Sequence, residues 1–347
     1  MEQLAEKGDY TMKKNLLLIA TGGTIASSPG EHGLKPAILA HELLEAVPDI
    51  HLDGNLDGIL LMNIDSSNMQ PEAWSEMARA VYEHYDSYDG FIITHGTDTM
   101  AYTSAALTYI LQDLDKPVIV TGSMVPLNVE NSDAPRNLAD SVTFIKEGIG
   151  GVYIVFDGKV IMGTRAVKIR SKSAHAFESI NSPVFATIEQ ETVRYNNAED
   201  AKPRVRESTA KSVRLLDSLC PDVLLLKLYP GMKPELFDLI KPHYRGVIIE
   251  SFGSGGIPME ERSLLPKLQE LIEAGIAVVI STQCLEEGTD LSIYEVGKKM
   301  ANLPIIYSGD MNTDAIVPKL MWALGQTDQL AEVKVYMETP IARDIQL

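Results

Sequence analysis

Apolar residues gather along the chain in short runs, separated by longer segments of mixed character. The first run, residues 16–20, lies between Lys14 and the turn Thr21-Gly22-Gly23-Thr24. A short apolar run between a charge and a turn fits a buried strand. Similar runs recur at 58–62, 91–94, 118–121 and 152–156. Between them, residues 71–85, 99–111 and 134–146 carry helical spacing, and Pro71 stands where a first helical turn accepts proline. Strands alternating with helical stretches predict βαβ units and a mainly parallel sheet. Residues 151–163 differ, because two apolar runs flank Asp157-Gly158. That dipeptide predicts a β-hairpin.

The pattern changes at Tyr195. The stretch Asn196-Asn197-Ala198-Glu199-Asp200-Ala201-Lys202-Pro203 is polar and has no apolar periodicity. Beyond it the α/β rhythm returns at 223–228, 234–240, 247–250, 261–274 and 277–281, with a final helix near 313–324. The expected organisation is two α/β domains with mainly parallel sheets. A larger N-terminal domain, residues 13–194, carries the hairpin. A linker spans 195–214, and a smaller flavodoxin-like C-terminal domain spans 215–347.

Composition narrows the function. Of the 347 residues 45% are hydrophobic, enough for sizeable cores and against wholesale disorder. Acidic residues number 48 against 30 basic, a formal net charge of −18. A field of that sign repels phosphate backbones and anionic lipid, so neither nucleic acid nor a membrane surface is the expected partner. Cys220 and Cys284 form no CxxC or Cys/His cluster, so no metal site is expected and free thiols are. No apolar run approaches the ~20 residues of a membrane helix. Residues 1–10 are polar and mostly acidic, unlike a signal peptide. Residues 1–11 read either as an extension or as lying ahead of a start at Met12. The expected location is cytoplasmic.

Ligands of open α/β sheets sit off the carboxyl ends of strands. Four segments there carry reactive groups. Thr21-Gly22-Gly23-Thr24 lacks the G-x-G-x-x-G fingerprint, and no Walker A pattern occurs anywhere. A tight turn explains its glycines; what is left over is the hydroxyl of Thr24. Asp65-Ser66-Ser67 reads as a helix-entry loop, or as a site for the ammonium and carboxylate of a small zwitterion. His95-Gly96-Thr97-Asp98-Thr99 contains ordinary N-cap residues, but a cap accounts for one of the five. Lys168 lies among apolar residues at 166, 167 and 169. Such a lysine is either solvated or lowered in pKa to serve as a base.

Together these motifs resemble the bacterial L-asparaginase family. Thr21-Gly22-Gly23-Thr24-Ile25-Ala26 and His95-Gly96-Thr97-Asp98-Thr99-Met100-Ala101 are similar to its two signatures. Residues 62–69 resemble its substrate-binding loop, and Thr121-Gly122-Ser123, Gly253-Ser254-Gly255, Thr282-Gln283-Cys284 and Gly309-Asp310-Met311-Asn312 also match. Asp65-Ser66-Ser67 and Thr282-Gln283-Cys284 look like the cytoplasmic, type I branch.

The resemblance implies hydrolysis of L-asparagine to L-aspartate and ammonia, without metal or organic cofactor. Thr24 would be the nucleophile that forms an acyl-enzyme, and a threonine hydroxyl needs a base. Thr97, Asp98 and Lys168 would form a second catalytic cluster, with Lys168 accepting a proton through Thr97. Backbone N–H groups of the glycine turn and of Thr97 would stabilise the oxyanion. Asp65, Ser66 and Ser67, with Thr97 and Asp98, would hold the substrate.

Two departures stand out. The loop tyrosine usual in the family is Leu34 here, and Tyr294 is the candidate replacement from the C-terminal domain, or else a packed aromatic. Glu250 precedes Ser251-Phe252-Gly253 where allosteric members carry arginine, so asparagine sensing is not expected. The resemblance also implies a homodimer or homotetramer, with each C-terminal domain completing a neighbour's site. Two rival readings are an inactive amino-acid sensor and the ammonia-supplying subunit of a tRNA-dependent amidotransferase. The first would be expected to lose Thr24, Asp98 or Lys168, and the second to carry a further N-terminal domain.

Overall fold

The structure is a computed structural model that describes residues 14–30, 33–36, 43, 54–201, 213–290 and 303–346. Tyr294 and most of the 195–214 linker lie outside the described residues.

Strand β1 (Leu16–Gly22) is buried on both faces, as its unbroken apolar run requires. A short antiparallel ribbon follows, β2 (Ser27–Gly30) with β3 (Gly33–Pro36), and pairs Pro29 with Leu34. β4 (Leu56–Ile64) is longer than the run at 58–62 and half exposed, since it forms the sheet edge. Helix α1 (Pro71–His84) begins at its proline. β5 (Gly90–Thr94), α2 (Met100–Ile110), β6 (Leu111–Gln112), β7 (Pro117–Thr121), α3 (Ala134–Lys146) and β8 (Gly151–Phe156) continue the alternation.

The hairpin lies where Asp157-Gly158 places it. β8 turns into β9 (Lys159–Met162), with both turn residues left-handed at φ 52° and 73°. That is the type I′ pattern of a two-residue hairpin. β10 (Ala166–Lys168) pairs with β11 (Phe177–Ser179) as a separate ribbon, and β12 (Ala186–Glu189) with β13 (Thr192–Tyr195) extends the main sheet. The eight-stranded sheet has the order β13-β12-β9-β8-β7-β5-β1-β4.

β14 (Arg214–Leu215) pairs with β6 of the first domain. β15 (Val223–Lys227), β16 (Gly246–Ser251), β17 (Ala277–Thr282) and β18 (Ile306–Tyr307) form an all-parallel second sheet, with α4 (Leu265–Glu273) between β16 and β17. Residues 234–239 form a 3₁₀ turn. α5 (Thr313–Gln326) is not the final helix, because α6 (Leu330–Glu338) follows it.

The two-domain α/β architecture stands, but the flavodoxin strand order belongs to the other domain. In chain order the parallel strands of the first sheet run 2-1-3-4-5, the flavodoxin order. The second sheet runs β15-β16-β17-β18, in plain chain order. Reversal there would need a strand on the far side of β15, and β14, just before it, is committed to β6. The switch point therefore falls between β1 and β5. Their loops leave in opposite directions and open a crevice where ligands of such sheets bind.

Helix α2 joins the domains. It is apolar nearly all round and buried along its length, as such a helix must be. Ala105 and Tyr109 enter the core of the second domain, and Tyr109 stacks on Trp322 at 6.2 Å. Its N-terminal end emerges at the switch point.

Candidate active site

Two glycines bring the β1 and β5 loops into contact. Gly22 and Gly23 have φ of 101° and 82°, a conformation that favours glycine. A Cβ on Gly23 would stand 2.3 Å from the Gly96 nitrogen, and one on Gly96 2.5 Å from Ser66 Oγ. The backbones of residues 23 and 96 and the Ser66 side chain are thus packed too closely for another side chain to intervene. Thr21 Oγ1 donates to Thr94 O at 2.7 Å and ties the strand ends together. Thr24 follows, half-buried, at the start of the 3₁₀ turn Thr24–Ala26.

Lys168 arrives from the β10–β11 ribbon. Ala166 and Phe177 anchor that ribbon in the core, and Phe177 packs edge-on against Phe156 at 5.1 Å. The Lys168 ammonium donates to Thr97 Oγ1 at 2.8 Å and to Asp98 Oδ1 at 2.6 Å. Its side chain is 15% exposed while that of Asp98 is 64% exposed. Just before the ribbon, buried Arg165 binds Asp310 Oδ2 at 2.8 Å and Arg343 O at 2.8 Å. The lysine strand is thereby tied to the second domain and to the tail.

The Asp65 loop shapes the same floor. Asp65 caps the short turn Ser66–Asn68, accepting from the Ser67 N–H at 2.8 Å and the Ser67 hydroxyl at 2.7 Å. Those two bonds hold its carboxyl below the usual range. Buried Ser66 accepts from the Asp98 N–H through Oγ at 3.3 Å and from Thr99 Oγ1 through its carbonyl at 2.8 Å. The structure therefore joins Thr97, Asp98, Lys168 and Ser66 by direct contact, and Thr24 through its neighbour Gly23. Asp65 and Ser67 sit at the rim.

Residue-by-residue reading of the sequence gives no role to the group beneath this floor. His95 is buried, and burial pushes its imidazole down to about 4, so it is neutral near pH 7. Its Nδ1 lies 2.6 Å from Gly96 O and its Nε2 2.9 Å from Thr103 Oγ1, which also accepts from Trp74 Nε1 at 3.0 Å. Nothing in the spacing of residues 74, 95 and 103 announces this chain, which only folding assembles.

Glu250 lies elsewhere, beside a cavity of about 210 Å³ lined by Val167, Asn181, Thr282, Cys284 and Asp314. It accepts from Thr313 Oγ1 at 2.6 Å. Burial, helped by the Glu250 charge and opposed by a Tyr102 hydrogen bond, pushes Asp314 up to about 6 from 3.8. The folded chain therefore holds this proton more tightly than the unfolded chain. The resulting stabilisation is present at low pH and lost as pH rises through about 6. Asparagine does not ionise. The melting temperature of Asp314→Asn relative to the native chain is expected to rise between pH 4.5 and 7.5, by the equivalent of about 2 kcal/mol. A difference independent of pH would refute it.

The chain is similar to known proteins along most of its length. The model described as Asparaginase, N-terminal, matches residues 15–201, and that described as Glutaminase/Asparaginase C-terminal domain matches residues 222–337. The chain is 41% identical to an L-asparaginase of Thermococcus kodakarensis over 95% of its own length and 98% of that protein. It is 35% identical to one component of the glutamyl-tRNA(Gln) amidotransferase of Pyrococcus abyssi, over 94% of its length and 76% of that protein. The crystal structure of L-asparaginase I from Vibrio cholerae superposes with a TM-score of 0.85 at 29% identity, covering 97% of this chain and all of that one.

Proposed function

Because the chain belongs to the asparaginase family, we propose that it hydrolyses L-asparagine to L-aspartate and ammonia through a threonine-bound acyl intermediate. The observation that carries this reading is the Lys168 ammonium, bonded at once to Thr97 and Asp98 beside the Thr24 turn. In this mechanism the Thr24 oxygen attacks the side-chain amide carbon of asparagine. The carbon–nitrogen bond breaks and nitrogen leaves as ammonia. Water then attacks the ester and releases aspartate. Lys168 moves the proton through the Thr97 hydroxyl, and Asp98 steadies the lysine when it is charged. Asp65, Ser66 and Ser67, with Thr97 and Asp98, hold the amino acid. The test is ammonia release from asparagine by the native chain and by Thr24→Ala.

The amidotransferase reading has less support, with lower identity and only 76% of that relative covered. The sensor reading has no feature in its favour, since Thr24, Thr97, Asp98 and Lys168 are all present in the chain. Among the described residues no helix is long and apolar enough to cross a membrane; we place the enzyme in the cytoplasm. We take its working form to be a homodimer or homotetramer in which a neighbouring C-terminal domain covers the cleft, where Asp98 is 64% exposed. Tyr294 remains the candidate hydroxyl for the loop that carries Leu34.

Saturation by asparagine is expected to be hyperbolic. The cavity beside Glu250 presents a second carboxylate, Asp314, and one ammonium, Lys227, which faces Glu250 at 4.0 Å; no guanidinium fork among the described residues lining it receives a ligand carboxylate. Initial rates across low asparagine concentrations check this; a sigmoidal curve that Glu250→Gln flattens would reverse it.

A further inference from the structure

The buried chain Trp74–Thr103–His95 ends on the carbonyl of Gly96, one bond from the proposed catalytic Thr97. We propose that His95, held in one tautomer by Thr103, is a positioning residue that fixes the Gly96–Thr97 peptide so that the Thr97 N–H faces the cleft and receives the oxyanion. This inference rests on the amidohydrolase reading above and extends it to the scaffold behind the reacting groups.

The direction of every bond in the chain follows from the chemistry of its members. An indole nitrogen only donates, so Trp74 Nε1 gives its proton to Thr103 Oγ1 at 3.0 Å. The Thr103 hydroxyl is then free to point its own proton at His95 Nε2, 2.9 Å away. A backbone carbonyl only accepts, so the proton on the ring belongs to Nδ1, which donates to Gly96 O at 2.6 Å. One neutral tautomer satisfies all three contacts. The other would aim the Nδ1 lone pair at the carbonyl lone pairs.

The consequence for catalysis comes from peptide planarity. The described residues contain no cis peptide bond, and across a trans peptide the C=O and N–H point in opposite directions. With Gly96 O drawn toward the buried imidazole, the Thr97 N–H must point away from it. Among the described residues nothing accepts from that N–H, although Thr97 is buried. Buried backbone donors are nearly always paired. An unpaired one facing the cleft suits a partner that appears only during the reaction. When the Thr24 oxygen adds to the amide carbon, the carbonyl oxygen takes up negative charge, and a fixed N–H is the group that stabilises it.

Thr103→Val tests this with nearly unchanged shape, since it removes the hydroxyl that holds Nε2 and leaves the ring tethered only through Nδ1. kcat for asparagine is expected to fall on the order of 10- to 100-fold, with KM and the dissociation constant of aspartate changed less than about threefold. Thr103→Ser should restore kcat to within about threefold of the native value. His95→Gln should lose on the order of 10²- to 10³-fold in kcat, the range seen when an oxyanion donor is removed. Nitrogen NMR of the His95 ring should report a protonated Nδ1 in the native chain, with the Nε2 signal shifted in Thr103→Val by loss of its hydrogen bond. The inference is overturned if folded Thr103→Val keeps full kcat, if KM rises in step with the fall in kcat, or if the native ring carries its proton on Nε2. A native protein inactive on asparagine would instead overturn the functional reading, while the ring spectrum would still test the tautomer.

Discussion

Thr24→Ala is expected to lower kcat on asparagine by at least about 10³-fold, the scale lost when one member of a catalytic unit is removed. The fold should survive. Thr24 is half-buried and opens a 3₁₀ turn whose geometry is set by the two left-handed glycines before it. Truncation at such a site, away from the core, belongs with the small stability effects of surface substitutions. Binding of aspartate should change little, because the groups assigned to hold it come from residues 65–67 and 97–98. Ammonia release, thermal melting and aspartate titration together check the prediction. A folded variant retaining a tenth of native activity would remove Thr24 from the nucleophile's role. Thr24→Ser, which keeps a hydroxyl on the same carbon, should recover a measurable part of the rate.

Much of this arrangement was legible in the sequence, for identifiable physical reasons. The runs at 16–20, 91–94, 118–121 and 152–156 became β1, β5, β7 and β8 because strands buried on both faces read as continuous apolar segments. Residues 134–146 form a helix over the expected span, and Asp157-Gly158 makes the expected turn. Strand order was not legible, since periodicity identifies elements and not the side on which a crossover lands. That is why the 2-1-3-4-5 order appeared in the first domain and not the second. The short ribbons β10–β11 and β12–β13 carry too few apolar positions to stand out, and the nine-residue helix α6 is too short for its spacing to declare a separate helix after α5. At the site, Thr24 and the 95–99 motif follow strands and are visible as motifs. Lys168 lies 70 positions from Asp98, and only the hairpin and its ribbon bring the two together. Trp74, Thr103 and His95 look like ordinary helix and loop residues until folding aligns them.

Lys168→Met is expected to cost kcat about 10²- to 10⁴-fold, the usual contribution of a positioned general base. Methionine is close to lysine in length and apolar, so it fits a side chain that is 15% exposed. What it removes is the donor to Thr97 Oγ1 and to Asp98 Oδ1. Two roles could explain a loss of that size: proton transfer, or charge placed beside the reacting centre. Lys168→Arg separates them. Arginine keeps the charge but does not give up its proton in proteins. If Lys168 is a base, the arginine variant should be nearly as impaired as the methionine variant. If Lys168 supplies charge alone, arginine should recover most of the activity. Asp98→Asn removes the carboxylate partner that the ammonium holds at 2.6 Å, and the maximal rate should fall with it. Unchanged kcat in Lys168→Met, measured by ammonia release on a protein with a native melting curve, would leave the Thr97 hydroxyl without its proton acceptor and the proposed mechanism without its base.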